Sequence, residues 1–135
     1  MHVVVVGCGR VGSGLAATLV EQGHTVSVID RKATAFRRLP ENFSGDTIVG
    51  VGFDRTRLRA AGIERADALA AVTNGDNSNI LIARTAREFF HVDRVVARIY
   101  DQRRAAIYER LGISTVATVQ WAIERVRRRI QPATD

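Results

Sequence analysis

The sequence has few of the features that mark secreted or membrane-spanning chains. Cys8 is the single cysteine among 135 residues, which excludes a disulfide framework and favours a reducing compartment. The longest aliphatic runs, such as 68–72, are far too short for a transmembrane helix. Met1 leads directly into an apolar strand pattern, so we expect no signal peptide.

Side chains for catalysis and metal binding are also scarce. The three histidines, His2, His24 and His91, fall outside the predicted carboxyl ends of strands, and no Cys/His cluster has metal-ligand spacing. A dehydrogenase needs an acid or base beside its nicotinamide. Cys8 lies in a glycine-rich loop, where a nucleophile would clash with a bound diphosphate. We therefore expect no catalytic residue, no metal site and no enzyme activity.

Lysine is nearly absent, yet the chain is basic. Lys32 is the single lysine among 20 basic residues, which outnumber the 14 acidic ones and give a net charge of +6. Such a balance can indicate nucleic-acid binding. The arginines are spread over every predicted helix without interleaved aromatics, and they suit phosphate ligands, an acidic partner or a solvated surface at least as well. We expect no nucleic-acid partner.

The clearest motif that is present lies at the N-terminus. Apolar residues 2–6 predict a buried strand, 11–22 a helix and 25–29 a second strand, and Asp30 stands at the tip of that strand. Between the first strand and the helix, residues 7–12 form a G-x-G-x-x-G turn, Gly7-Cys8-Gly9-Arg10-Val11-Gly12. An ordinary glycine turn is the alternative, but the complete β-α-β unit with its acid favours nucleotide binding.

Each glycine of the motif meets a physical requirement that a larger residue would not. Gly7 permits a tight exit from the strand, Gly9 lets a diphosphate approach the backbone, and Gly12 lets the helix pack closely on the sheet. The helix N-terminus offers free N–H groups and a partial positive charge to the phosphates. Asp30 is placed to accept hydrogen bonds from an adenosine ribose. Its carboxylate argues against NADP, although the neighbouring Arg31 softens that argument.

Strands and helices alternate along the rest of the chain. We predict strands at 46–51, 68–73, 92–99 and 114–116, and helices at 33–39, 55–61, 76–90, 101–111 and 118–130. This order predicts one α/β domain, a Rossmann-like doubly wound parallel sheet of about six strands in the order 3-2-1-4-5-6. Ligands bind such sheets at the carboxyl ends of the strands, around the switch point between the first and fourth strands.

The last predicted helix, a crossover helix over 118–130, carries an apolar stripe at helical spacing: Val119, Ala122, Ile123, Val126 and Ile130. We expect this stripe to face the sheet. Trp121 falls on the opposite side, near Arg125 and Arg128. It either anchors a partner or folds back onto Tyr108 or a loop.

Further short motifs accompany the glycine turn: Gly23-His24, Ile29-Asp30, Leu58 to Ile63 followed by Ala66-Asp67, Val96-Ala97-Arg98-Ile99 and Leu111-Gly112-Ile113. With these motifs the whole chain resembles the N-terminal half of a regulator-of-potassium-conductance (RCK) domain, the KTN or TrkA-N family. The resemblance implies a nucleotide-binding domain over 1–135. A smaller C-terminal ligand-binding subdomain, which full-length members have, is expected to be absent from this chain.

The resemblance implies regulation rather than catalysis. Such domains bind NAD(H) or ATP/ADP, form homodimers that can assemble into rings, and gate potassium flux when the ligand changes the shape of the dimer or ring. Their partner is an integral-membrane potassium transporter subunit, so a cytoplasmic location at the inner face of the membrane is implied. The alternative is an isolated dinucleotide-binding domain of an NAD-dependent oxidoreductase.

The resemblance also assigns roles within the site. Arg10 and Arg98 would meet the terminal phosphates, and Asp30 would hold the ribose. The other implied contacts are Arg31 near the adenine, Gly52, Phe53 and Asp54 at the border of the base, and Thr73 and Asn74 on the phosphate side. For Arg98 a structural pairing with a carboxylate is the alternative. Where some members carry an acidic residue for a divalent cation, this chain has Val119-Gln120, so we expect no cation there.

Overall fold

A computed structural model describes residues 1–131 and contains one sheet of six parallel strands. Its order, β3-β2-β1-β4-β5-β6, confirms the predicted topology. The strands are β1 (His2–Val6), β2 (Thr25–Asp30), β3 (Asp46–Val49), β4 (Ala68–Ala71), β5 (Arg94–Arg98) and β6 (Ser114–Val116). Strands β3, β4 and β5 are each shorter than predicted, because their predicted ends belong to the loops at the sheet edge.

The helices are α1 (Arg10–Glu21), α2 (Arg55–Ala60), α3 (Asp76–Arg84), α4 (Gln102–Glu109) and α5 (Thr118–Ile130). Short 3₁₀ segments cover Ala33–Arg38 and Ile63–Arg65, and a π-helical turn, Thr85–Phe89, continues α3. No helix in the described part of the chain is both long enough and apolar enough to span a bilayer.

Strand β1 is the centre of the core, since all five of its residues are buried. Val4 and Val6 pack into one hydrophobic cluster, whereas Val3 and Val5 pack into another. Successive side chains of a strand point to opposite faces, so β1 has an apolar layer on each side. This explains why its sequence is an unbroken apolar run rather than an alternating one.

The ends of α2 and α4 lie within two residues of their predicted positions and have capping groups. Asp54 accepts a hydrogen bond from the backbone N–H of Thr56 at 2.9 Å, and Asp101 accepts one from Arg103 at 3.0 Å. Gly62 and Gly112 adopt left-handed backbone, with φ of +82° and +85°. These caps fix where the sheet-edge loops begin and end.

His2 has a structural role. Its ring is buried, with Nδ1 2.8 Å from the hydroxyl of Thr25 and Nε2 2.8 Å from the carbonyl oxygen of Ala61. These contacts tie the start of β1 to β2 and to the end of α2. They lie at the amino ends of the strands, away from the expected ligand edge.

The prediction that the stripe of α5 packs on the sheet is wrong. No residue of α5 is buried, and Ile123 and Ile130 are 54% and 74% exposed. Helical periodicity reveals an apolar face but not what covers it. The alternative that Trp121 folds back onto Tyr108 or a loop is also wrong, because Trp121 is 66% exposed and stacks under Arg125, 5.3 Å from the ring centre.

Candidate nucleotide-binding site

A pocket of about 1200 Å³ opens at the carboxyl ends of the central strands. Strands β1, β2 and β4 and the loop after β3 supply its walls, so it lies at the predicted switch point. Nine of the predicted site residues line it: Gly7, Cys8, Gly9, Asp30, Arg31, Gly52, Phe53, Thr73 and Asn74. Sequence positions far apart in the chain therefore meet in one concave site.

The glycine loop forms the floor of this pocket. Gly7 has φ of +105°, and a side chain there would come within 2.9 Å of the backbone of Val72 and Thr73. A side chain at Gly12 would overlap the carbonyl oxygen of Gly7. Gly9, by contrast, has no atom within 4 Å of where its Cβ would stand. The protein itself does not require glycine at position 9, whereas a ligand lying on the loop would.

The first turn of α1 has no side-chain cap, so its N–H groups are available to a ligand. Arg10 and Val11 are exposed on this turn and lie outside the pocket lining. Backbone amides and a helix dipole at the edge of an open glycine loop are the elements of a phosphate-binding site. The residues present therefore fit a diphosphate group.

Asp30 joins the tip of β2 to the glycine loop. One carboxylate oxygen accepts a hydrogen bond from the N–H of Cys8 at 2.8 Å, and the other accepts one from the N–H of Lys32 at 2.9 Å. A carboxylate offers about four lone-pair positions. Asp30 can therefore hold the loop and still accept a hydrogen bond from a ribose hydroxyl.

Cys8 lies beneath the loop and is fully buried. Burial raises the pKa of its thiol, the Asp30 carboxylate raises it further, and the positive charge of Arg38 partly opposes both. A thiol of raised pKa is a weak nucleophile, because the thiolate is the reactive form. Cys8 contributes packing to the floor of the pocket.

The turn after β4 is held by the fully buried side chain of Asn79. Its Oδ1 accepts hydrogen bonds from the N–H and the hydroxyl of Thr73, at 2.9 and 2.7 Å. Its Nδ2 donates to the carbonyl oxygens of Thr73 and Arg98, at 2.9 and 2.8 Å. One amide therefore fixes the wall of the pocket relative to α3 and β5. Asn79 was not predicted from the sequence.

Arg98 lies behind the same turn and is only 7% exposed. Its Nη2 donates to the carbonyl oxygen of Thr73 at 2.8 Å and to Oδ1 of Asn74 at 2.9 Å. The alternative of a carboxylate partner is wrong, since the hydrogen bonds in residues 1–131 give it none. Its buried Nε has no partner in the described chain. The predicted contact between Arg98 and a phosphate stays a prediction.

Asp54 caps α2 and lies outside the pocket lining. Gly52 lines the pocket, and packing requires glycine at this position because a side chain there would overlap Val6. Phe53 is 42% exposed at the rim, where an adenine ring could stack on it.

Eight polar or loop residues of the lining were not predicted: Lys32, Thr34, Arg37, Arg38, Gly50, Val51, Gly75 and Ser78. Lys32, Gly50 and Val51 stand one or two residues beyond the end of a strand that was already assigned to the site. That adjacency was the signal available in the sequence. No group of three or more His, Cys, Asp or Glu side chains in the described residues could hold a metal ion.

Comparison with known protein families shows that residues 3–119 match the TrkA-N domain. The chain belongs to the TrkA-N family. The Trk system potassium uptake protein TrkA of Streptomyces coelicolor is 60% identical to this TrkA-N chain over 133 residues. The match covers 98% of the chain and 60% of that relative, so the chain spans about three fifths of its length.

Solved structures that resemble this TrkA-N domain include the following two. The TrkA-N domain of the inner membrane protein ybaL from Escherichia coli has the same fold, with a TM-score of 0.82, 23% identity and 96% of each chain covered. The GsuK protein bound to ADP has a TM-score of 0.72 and 26% identity, over 93% of this chain and 33% of that one.

Proposed function

We propose that this TrkA-N domain is the nucleotide-sensing part of a regulatory subunit of a potassium uptake system, with NAD(H) or ATP/ADP as its ligand. The observation that carries the proposal is the open glycine loop, where Gly9 leaves space over the uncapped start of α1. The similarity to the TrkA protein of Streptomyces coelicolor and to GsuK bound to ADP supports it.

In this proposal the ligand lies across the carboxyl edge of the sheet. The diphosphate meets the amides of the glycine loop and the first turn of α1, with Thr73 on the far side. The ribose hydroxyls donate to Asp30, and the adenine lies between Arg31 and Phe53. Arg10 reaches the phosphates from the exposed first turn of α1. Among the described residues that line the pocket, Asp30 is the single carboxylate and none is a histidine, which favours binding over acid-base chemistry.

Regulation then requires that the ligand binds one assembly better than another. We propose that residues 1–135 form the N-terminal nucleotide-binding unit of a homodimer or larger ring. In this assembly a second copy of the chain packs on the apolar stripe of α5. The exposed side chains of that stripe include Val119, Ile123, Val126 and Ile130. The assembly acts at the cytoplasmic face of the membrane on a potassium transporter subunit.

Calorimetric titration of the purified chain with NAD, NADH, ATP, ADP and NADP tests the proposal. We expect saturable binding of at least one adenine ligand. Asp30→Ala should weaken the adenosine ligands together, and Asp30→Asn should weaken them less because it keeps the side-chain oxygen. Absence of binding of every ligand at millimolar concentration would overturn the proposal. Consumption of NADH with a small substrate would favour the oxidoreductase alternative instead.

A further inference from the structure

The pocket contains more positive charge than a diphosphate site on a glycine loop needs. Among the described residues, four basic side chains line it, Arg31, Lys32, Arg37 and Arg38, against the carboxylate of Asp30. We call these four the basic rim. None of them forms a salt bridge or a side-chain hydrogen bond within residues 1–131. Unpaired cations that converge on one concave site favour an anionic ligand.

The position of the basic rim shows which part of a ligand it would meet. All four residues follow β2, and Arg37 and Arg38 end the 3₁₀ segment Ala33–Arg38. The acid at the tip of β2 marks the ribose side of such a pocket, whereas the glycine loop and α1 mark the diphosphate side. The basic rim therefore stands beside the ribose rather than beside the diphosphate.

The carboxylate of Asp30 offsets only one of the four positive charges. Both of its oxygens are already turned toward backbone N–H groups, those of Cys8 and Lys32. These two hydrogen bonds hold it at the base of the loop. The basic rim lies further out, and long flexible side chains can rearrange around a ligand group.

We propose that the basic rim recognises a phosphate on a ribose hydroxyl, so that the site accepts NADP-type ligands as well as unphosphorylated adenine nucleotides. This inference rests on the proposed nucleotide site and names its ligand class. It departs from the expectation that Asp30 excludes a 2′-phosphate, because four cations outweigh one hydrogen-bonded carboxylate. A phosphate between two guanidinium groups forms charge-assisted, often bidentate hydrogen bonds.

Three isomers with two phosphates each test the position of the extra phosphate. Adenosine 2′,5′-bisphosphate and adenosine 3′,5′-bisphosphate carry it on the ribose, whereas ADP carries it on the diphosphate side. The affinity for AMP is the reference. The affinity for NADPH relative to NADH repeats the comparison with dinucleotides. We expect one ribose bisphosphate to bind about tenfold more tightly than AMP, as one or two charge-assisted hydrogen bonds provide.

The double variant Arg37→Ala/Arg38→Ala should remove most of that gain, whereas AMP and ADP should each lose only the smaller affinity that general positive charge in the pocket provides. Both residues lie on the short 3₁₀ segment at the surface, and a melting curve checks that the variant folds. Arg103→Ala/Arg110→Ala is the matched control, because it removes two exposed arginines that lie outside the pocket. It should keep the full gain.

The inference is overturned if neither ribose bisphosphate binds the wild-type chain more tightly than AMP. It is also overturned if the rim variant weakens ADP and the ribose bisphosphates equally, because the rim would then act only as general positive charge. Failure of AMP, ADP and NADH to bind at all would instead contradict the proposed nucleotide site itself.

Discussion

At the scale of single residues, some glycines of the loop are needed for folding and others only for binding a ligand. Gly12 is enclosed by the protein's own backbone, whereas Gly9 faces open space. We expect Gly9→Val to reduce nucleotide affinity at least about a hundredfold, because branched methyl groups would occupy the position of the diphosphate. The melting temperature should change by no more than a few degrees. Calorimetric titration and thermal unfolding measure the two effects.

Gly14→Val is the matched control for Gly9→Val. Position 14 is on the exposed side of α1, and it too has no atom within 4 Å of where a Cβ would stand, so the same side chain fits without a clash. This variant should bind nucleotide normally. Normal binding by Gly9→Val would show that the ligand does not lie on the glycine loop.

Asn79 tests how the wall of the pocket is held. Asn79→Ala leaves the partly buried N–H of Thr73 and the buried carbonyl oxygen of Arg98 without their partner, and we expect it to lower the free energy of unfolding by about 3 kcal/mol. For a domain of this size that is a decrease in melting temperature on the order of 10 °C. Chemical denaturation measures the change in free energy.

The control is Asn77→Ala, which removes an exposed hydrogen bond to Arg104 and should change the free energy of unfolding by less than about 1 kcal/mol. Nucleotide affinity should fall only in the Asn79 variant, since Thr73 lines the pocket. Equal stability of the two variants would mean that the turn after β4 is held by other groups.

These residues show how far the site could be predicted. Gly7, Gly9 and Asp30 were predicted because each has a chemical reason that depends on local sequence alone. Asn79 was missed because its role depends on contacts across the sheet edge. Arg38 was missed because its place in the pocket lining depends on how the segment after β2 folds. A buried asparagine looks the same in sequence as a solvated one, and only the fold places it beneath Thr73.

At the scale of whole elements, α5 has no covering layer within residues 1–131. Its apolar residues are exposed although they lie on one helical face, and exposed faces of this kind mark interaction surfaces. If a second copy covers the stripe, Ile123→Glu should weaken self-association at least about tenfold. Sedimentation velocity over a range of protein concentrations measures the change.

Gln120→Glu adds the same charge to α5 away from the stripe and should leave self-association unchanged. Ile123 is 54% exposed, so its substitution should not lower the melting temperature of the domain. A wild-type chain that remains monomeric at high concentration would contradict the proposed dimer. A different partner would then have to cover the apolar stripe of α5.

The elements themselves were largely predictable, and their packing was not. The six strands and their order follow from apolar runs that alternate with helical periodicity, together with the right-handed crossover rule. The bounds of α5 were also predicted. Its packing was not, because the expectation assumed that every apolar stripe is covered within its own domain.

At the scale of the whole molecule, the proposal requires that a nucleotide binds the folded chain and that the nucleotide is not consumed. A ligand present at about 100 times its dissociation constant stabilises the folded state by about 3 kcal/mol. For this domain the melting temperature should then rise on the order of 10 °C. Differential scanning calorimetry with NADH measures the increase, and the absorbance of NADH should stay constant during the same incubation. Gly9→Val should show no increase, because it folds without a diphosphate site. An equal increase in wild type and Gly9→Val would mean that the nucleotide stabilises the chain from another surface.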